Sequence, residues 1–310
     1  MSTVKGLHHI TAVAADPQRN VDFYAGVLGL RLVKKTVNQD DPFTYHLYYG
    51  DALGRPGTAM TFFPFPGVPA GQPGRGQPLE TRFSVAPDAL EGWRERLGSV
   101  GIQTRRAATP DGVESLCFSD PDGLPLALEG RVEGAVERSD DAWQAPGLEP
   151  GMAIQGFAGM TLSSHRPHAT ARVLTDLLGY SEGRSADGNR VFRAPEEGTA
   201  DQLQLLADVA PGQAGYGTVH HVAFRVPDRP ALLEMLERVQ ASRMPCSGEV
   251  DRFYFRSVYF REPGGMLFEI ATDDPGFTVD EPAESLGESL KLTAEHEPMR
   301  PAIEAQLPRL

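Results

Sequence analysis

Two His-His pairs and one carboxylate are the residues of this 310-residue chain best suited to metal chemistry. His8-His9 lies in LHHIT and His220-His221 in VHHVA, in the same frame. Glu269 stands in MLFEIA, between Phe268 and Ile270. Neighbouring strand residues point to opposite faces, so each pair offers at most one imidazole to a common pocket. A carboxylate in an apolar strand is costly to bury unless it is paired or metal-bound. Two imidazoles and one carboxylate make a facial ligand set with three open positions, the set non-haem Fe(II) oxygenases use for substrate and dioxygen. A lone strand histidine is more often a hydrogen-bonded structural residue than a ligand. Two pairs in matching frames, with a carboxylate on a third strand, favour the metal.

The elements that must position these groups read as four copies of one unit. In residues 7–63, a strand (LHHITAVAA) precedes an amphipathic helix (PQRNVDFYAGVLG) that stops at Gly29, and three short strands follow. The order returns over about 80–130, 155–207 and 216–272. The helix ending LTDLLGY matches FYAGVLGL, and SDPDG at 119–123 matches REPGG at 261–265. The class expected is α+β, with four βαβββ modules in two open barrel-like sheets. The domains expected are 1–145 (modules one and two) and 146–310 (modules three and four with a tail). Linkers are expected at 64–78 and around 131–152. Arg82-Phe83 in module two and Gly159-Met160 in module three stand where a His pair would fall, and Ala127 where Glu269 would fall. Modules one and four are therefore expected to pair around the metal.

Composition narrows the alternatives. Hydrophobic residues at 40% and charged ones at 23% suit a globular protein. A net charge of −13 disfavours a nucleic-acid surface, which needs a clustered basic face. Lys34-Lys35 reads as a solvated strand edge. No apolar run approaches the roughly 20 residues that span a bilayer, and the first residues lack a signal-peptide pattern. Cys117 and Cys246 read as reduced, buried thiols, fitting the cytoplasm. The segment from about 276 is rich in Glu and Pro, with one helical pattern, AIEAQL; it reads as a tail packed over the surface.

With these blocks in view, the chain resembles the vicinal oxygen chelate superfamily of glyoxalases, bleomycin-resistance proteins and extradiol dioxygenases. It is most similar to the hydroquinone-type ring-cleaving dioxygenases. The resemblance rests on LHHIT at 7–11, YHLYYGDALGRPGT at 45–58, GTVHHVAFRV at 217–226, DRFYFRSVYFREPGG at 251–265 and FEIATDDPGF at 268–277. It implies that the second histidine of each pair and the late glutamate, His9, His221 and Glu269, bind Fe(II) or sometimes Mn(II). It also implies that His8, Thr11, His220, Arg252 and Tyr259 surround the substrate. Strand parity places Thr11 with His9 but turns His8 and His220 the other way, so those two need a bulge or strong twist to reach the pocket. Otherwise they are satisfied histidines between sheet and helix. Arg252 could fix an anionic substrate oxygen, and Tyr259 could donate a hydrogen bond or a proton. Phe63, Phe253 and Phe255 would suit a flat aromatic ring.

The activity implied is ring cleavage of a hydroquinone or catechol-like aromatic with both atoms of dioxygen incorporated, by a protein that commonly self-associates as a homo-oligomer. Two other readings compete. A glyoxalase-like isomerase needs a fourth protein ligand on module one's last strand, where TAMTFFPF offers no carboxylate. A non-catalytic, resistance-type binding protein needs no metal, and leaves the His pairs unexplained.

Overall fold

The computed structural model describes residues 3–109, 111–131, 143–183, 189–196 and 201–310, so the middle of the linker expected at 131–152 lies outside the described residues. Each module runs strand, helix, three strands. Module one comprises β1 (Gly6–Ala14), α1 (Pro17–Val21, continuing as a π-helical turn over Asp22–Val27), β2 (Arg31–Asn38), β3 (Asp41–Gly50) and β4 (Ala59–Pro64). Module two has β5 (Pro78–Val85), α2 (Leu90–Ser99), β6 (Arg105–Ala108), β7 (Glu114–Ser119) and β8 (Pro125–Gly130). Module three has β9 (Gly156–Ser163), α3 (Pro167–Arg172, then a π turn over Val173–Leu177), β10 (Ser181–Glu182), β11 (Arg190–Arg193) and β12 (Gln202–Leu206). Module four has β13 (Thr218–Val226), α4 (Arg229–Ala241), β14 (Cys246–Asp251), β15 (Arg256–Arg261) and β16 (Leu267–Thr272).

Local chemistry accounts for the helices. Asp16 and Asp228 cap α1 and α4 by accepting the amides of Arg19 (2.7 Å) and Ala231 (3.0 Å). The helix expected over 17–29 widens at its end, where the Leu28 amide reaches back to the Phe23 carbonyl at 2.8 Å. The turn then closes at Gly29, whose φ of 66° is the left-handed stop expected there.

Among the described residues, sixteen strands form two curled sheets, ordered β14-β15-β16-β13-β1-β4-β3-β2 and β10-β11-β12-β9-β5-β8-β7-β6. Modules one and four share the first sheet and modules two and three the second. Each sheet thus draws one module from each half of the chain. In each, first strands meet antiparallel at the centre and are flanked by the last strands in parallel. Strand alternation sorts the side chains: on β3, Tyr45, Leu47 and Tyr49 enter the main core with Phe23 and Tyr24, while Tyr48 joins a separate cluster with Tyr254, Phe255 and Phe277.

Two expectations need correction. Lys34 is no solvated edge residue: it is fully buried, with Nζ 2.6 Å from Asp280 and in contact with Glu281, and it lies over the Tyr254 ring. A buried ammonium is tolerable only when paired in this way. Its partners belong to the tail, which covers the edge strand β2 through Lys35–Leu290 pairing and ends near β3, where the Tyr45 hydroxyl donates to the Pro308 carbonyl at 2.8 Å. AIEAQL forms part of α5 (Arg300–Gln306). Cys117 and Cys246 are free and half-buried.

The second correction concerns the metal-free modules. Ala127 of β8 pairs with Arg82 as Glu269 of β16 pairs with Ala223, so Glu80, not Arg82, takes the place of His221. On β9, Gly159 faces the start of β12 as His9 faces the start of β4, so the pair positions are Leu79-Glu80 and Ala158-Gly159. Arg82 fills the space between. Its guanidinium meets Glu129 at 2.6 Å, Thr161 at 2.8 Å and the Gln202 carbonyl at 2.5 Å. A Cβ at Gly159 would lie 2.7 Å from Arg82 Nη2. The second sheet holds a fixed organic cation where the first gathers two imidazoles and a carboxylate.

Candidate metal centre and its cavity

Three strands of the first sheet bring His9 (β1), His221 (β13) and Glu269 (β16) together, all buried. His9 Nε2 and His221 Nε2 lie 3.3 Å apart, and Glu269 Oε2 lies 3.2 and 3.0 Å from them. Ligand atoms about 2.1 Å from an ion at mutual right angles would be about 3 Å apart, so the triangle fits one face of an octahedron.

The two preceding histidines reach the same side through β-bulges. Leu7 pairs with Phe224 and His9 with Ala223, which leaves His8 as the extra residue; Thr11 pairs with His221 and Ala12 with Val219, which leaves His220 extra on the other strand. The bulges are mutual, one on each central strand. Each turns an imidazole onto its neighbour: His8 and His9 share an Nδ1–Nδ1 contact of 2.9 Å, His220 and His221 one of 2.8 Å.

This contact sets the tautomers on the His9 side. His8 Nε2 lies 3.0 Å from the Thr272 carbonyl, which only accepts, so that nitrogen carries the hydrogen. His8 Nδ1 is then a bare acceptor, His9 Nδ1 is N–H, and His9 Nε2 presents a lone pair to the triangle. Burial, with His9 next, holds His8 down to about 3, so it stays neutral; crowding and then His221 also lower His220, whose ring is open to solvent. His221 is also lowered, first by burial. Burial alone would raise the Glu269 carboxyl, but with His9 and His221 beside it the group lies well below the usual carboxylate range. Ser257 donates to Glu269 Oε1 at 2.5 Å, whereas among the described residues Oε2 faces only the two imidazoles. His9 Nε2 therefore turns a lone pair toward the Glu269 carboxylate, 3.2 Å away, with no hydrogen between them, and a divalent cation is what such a donor set accommodates.

The triangle opens on a cavity of about 320 Å³ walled by aromatic groups, among them His46, Tyr48, Phe63, Tyr254, Phe255 and Tyr259. Arg252 spans its mouth: Nε donates to the Tyr259 hydroxyl at 3.1 Å and Nη2 meets Asp40 at 3.0 Å, while Gln39 donates to the Arg252 carbonyl at 3.1 Å. Burial, then Glu269, raises the Tyr259 phenol far above its ordinary value, so it remains a hydrogen donor. His220 also lines the cavity, and Nε2 has no partner among the described residues. Thr11 and His8 do not line the cavity; the Thr11 hydroxyl lies 2.7 Å from Thr61. Phe253 does not face the cavity: it is 38% exposed, in a left-handed turn with φ of 70°.

Sequence reasoning missed Thr61, Tyr48 and His46 here. Thr61 pairs with Thr11 as Glu269 pairs with Ala223, so Thr61 takes the place of a fourth ligand. Tyr48 pairs with Thr61 as Tyr259 pairs with Glu269. His46 meets Thr61 at 3.0 Å from the position that Ser257 has beside Glu269. Alternation in FTYHLYYG already puts His46 and Tyr48 on one face.

Residues 6–128 and 159–270 match the model of the Glyoxalase/Bleomycin resistance protein/Dioxygenase superfamily. The chain belongs to this superfamily. It is 45% identical to the "Putative ring-cleaving dioxygenase MhqE" of Bacillus subtilis over 99% of both chains. Identity is 32% to the chlorohydroquinone/hydroquinone 1,2-dioxygenase of Sphingobium indicum, over 95% of this chain and 93% of the relative. A crystal structure described as a "putative dioxygenase" from Bacillus subtilis superposes with a TM-score of 0.94 at 40% identity, covering 100% of this chain and 98% of the other. A maize glyoxalase I variant shares the fold, with a TM-score of 0.62 at 17% identity over 87% of this chain and 94% of its own. Within the superfamily the chain is an enzyme of the ring-cleaving dioxygenase group, as the resemblance implied, and its fold is the one expected. No helix among the described residues is long and apolar enough to cross a membrane.

Proposed function

We propose that the protein is an Fe(II)-dependent, cytoplasmic dioxygenase that opens the ring of hydroquinone or catechol-like substrates, with His9, His221 and Glu269 as metal ligands. The observation that carries this reading is the three-atom triangle, with no fourth protein ligand among the described residues, at the floor of an aromatic cavity. When bound there, Fe(II) would lower the pKa of a substrate hydroxyl and let dioxygen and the ring exchange electrons.

The chain's own residues do the remainder. His8 and His220 orient the ligand imidazoles. Phe63, Phe255 and Tyr254 exclude water around a flat ring and hold it by its faces. Arg252 stabilises a developing negative oxygen at the mouth, and its hydrogen bond aims the Tyr259 phenol, which donates toward oxygen anions formed during turnover. His220 Nε2 faces the cavity and can take or return a proton there. Thr11 acts through Thr61. The cleavage inserts both oxygen atoms, so substrate protons are redistributed and not lost.

The isomerase reading is disfavoured because its fourth ligand position holds Thr61, already engaged with Thr11 and His46. The test loads reduced Fe(II) anaerobically and follows oxygen uptake with hydroquinone, catechol and their substituted forms. Fe-dependent uptake of one dioxygen per substrate is expected; no uptake with any dihydroxybenzene sinks the proposal. Metal analysis of the protein as isolated, alongside Mn(II) loading, distinguishes the metals. Self-association is expected and is read by sedimentation.

A further inference from the structure

The first sheet carries a near two-fold relation between modules one and four that extends past the ligands. It maps Glu269, Ser257 and Tyr259 onto Thr61, His46 and Tyr48, through equivalent register positions on β16 with β15 and on β4 with β3. Tyr259 and Tyr48 both line the cavity, and each phenol meets a nitrogen partner. Tyr259 accepts from the Arg252 guanidinium. The Tyr48 hydroxyl lies 2.8 Å from His46 Nδ1, and His46 Nε2 lies 3.0 Å from Thr61 Oγ1.

The partners differ in a way that sets polarity. A guanidinium only donates, so Tyr259 keeps its own hydrogen for the cavity. A neutral imidazole accepts at one nitrogen and donates at the other, and burial first, then His9 and His221, holds His46 neutral. A phenol is a far stronger hydrogen donor than an alcohol, and an alcohol oxygen is the better acceptor. The favoured arrangement is therefore Tyr48 O–H donating to His46 Nδ1, His46 Nε2–H donating to Thr61, and Thr61 donating on to Thr11, 2.7 Å away. With its hydrogen committed, Tyr48 Oη offers the cavity only lone pairs. One wall thus presents a donor phenol and the other an acceptor phenol.

We propose that Tyr48 is a substrate-binding residue that accepts a hydrogen bond from the ring hydroxyl not held by the metal, and that His46 is the positioning residue that keeps it an acceptor. The inference rests on the dioxygenase reading for the nature of the substrate. No proton need leave the substrate for this contact, so it selects diphenols over monophenols before any oxygen chemistry begins.

The test is equilibrium binding without oxygen, by calorimetry on the metal-loaded protein, comparing hydroquinone with 4-methylphenol. The methyl group replaces the second hydroxyl at similar size. The wild-type protein is expected to favour hydroquinone by about tenfold, the worth of one ordinary hydrogen bond. Tyr48→Phe keeps the ring packed against Phe277 and should lose that preference with 4-methylphenol affinity unchanged. His46→Phe should lose it likewise, and His46→Gln, which retains one acceptor and one donor, should restore it; a merely structural role for His46 would weaken both ligands together. Retention of the preference in Tyr48→Phe, or its absence in the wild type, overturns the inference and leaves the dioxygenase reading standing. Failure of the wild-type protein to bind either compound overturns that reading as well.

Discussion

His8 and Thr272, 264 residues apart in sequence, meet in one 3.0 Å hydrogen bond from the imidazole Nε2 to the carbonyl oxygen. Because a carbonyl can only accept, this contact fixes where hydrogens sit on two successive rings, and the last nitrogen in the series is the one that faces Glu269.

His8→Phe should therefore weaken metal binding by roughly 10- to 100-fold, the usual effect of removing a ligand's outer partner. Competition against a chelator measures it, with circular dichroism to show that the sheet persists. Unchanged affinity would mean that His9 does not depend on His8 for its tautomer.

Removing a ligand should act more severely. His221→Ala and Glu269→Gln should each lose stoichiometric metal and about 150- to 5000-fold of the oxygen uptake, since losing a buried charge partner costs about 3–5 kcal/mol. Stoichiometric metal retained in either variant refutes the assigned set.

Ser257→Ala leaves Glu269 Oε1 without its hydrogen-bond donor. A buried acceptor left unpaired costs about 1–3 kcal/mol. The variant should unfold at a lower urea midpoint, and a midpoint equal to the wild type's would count against that bond.

Lys34→Met removes a buried cation from Asp280 and Glu281. Breaking a buried pair at one end costs about 3–5 kcal/mol. The expected outcome is a lower Tm together with faster protease cleavage after Thr272, because the tail loses its main ionic anchor; wild-type cleavage rates would show that other contacts hold the tail.

Asp201 gives a pH dependence. It is buried, accepts the Leu7 amide at 2.6 Å and the Tyr180 hydroxyl at 2.8 Å, and burial pushes it up to about 6 against those bonds. Between about 4 and 6 the folded chain then holds a proton that the unfolded chain has released, so raising the pH through this window lowers stability. The shift corresponds to about 3 kcal/mol, lost as pH rises and fully lost above about 6. Relative to Asp201→Asn, which cannot ionise, the wild-type urea midpoint should fall across this window; parallel profiles would contradict the shift.

The proposed ligands stood out because their chemistry conflicts with their surroundings: a carboxylate between Phe268 and Ile270, and histidines doubled in matching frames. The four modules were legible from periodicity and turn residues. What the sequence hid depends on pairing between distant strands. The bulges at His8 and His220 exist only where β1 meets β13, and parity alone turns those rings away. The place of Thr61 and the partnership of His46 with Tyr48 follow from β3–β4 register, which no single segment states. Arg82 was misplaced by three positions because a pattern of residue types does not specify which residue faces which. Lys34 looked exposed because its partners lie about 246 residues further on.

The site lies on the seam between the first and last modules, and 260 residues separate His9 from Glu269. At roughly 5–20 residues per second, a ribosome needs roughly 13–50 s to travel from one to the other. During that interval the nascent chain carries His8 and His9 with no partner for them. Metal loading at the proposed triad would therefore wait for module four, and an ion in the triangle would record that the first and fourth modules have both been made and joined.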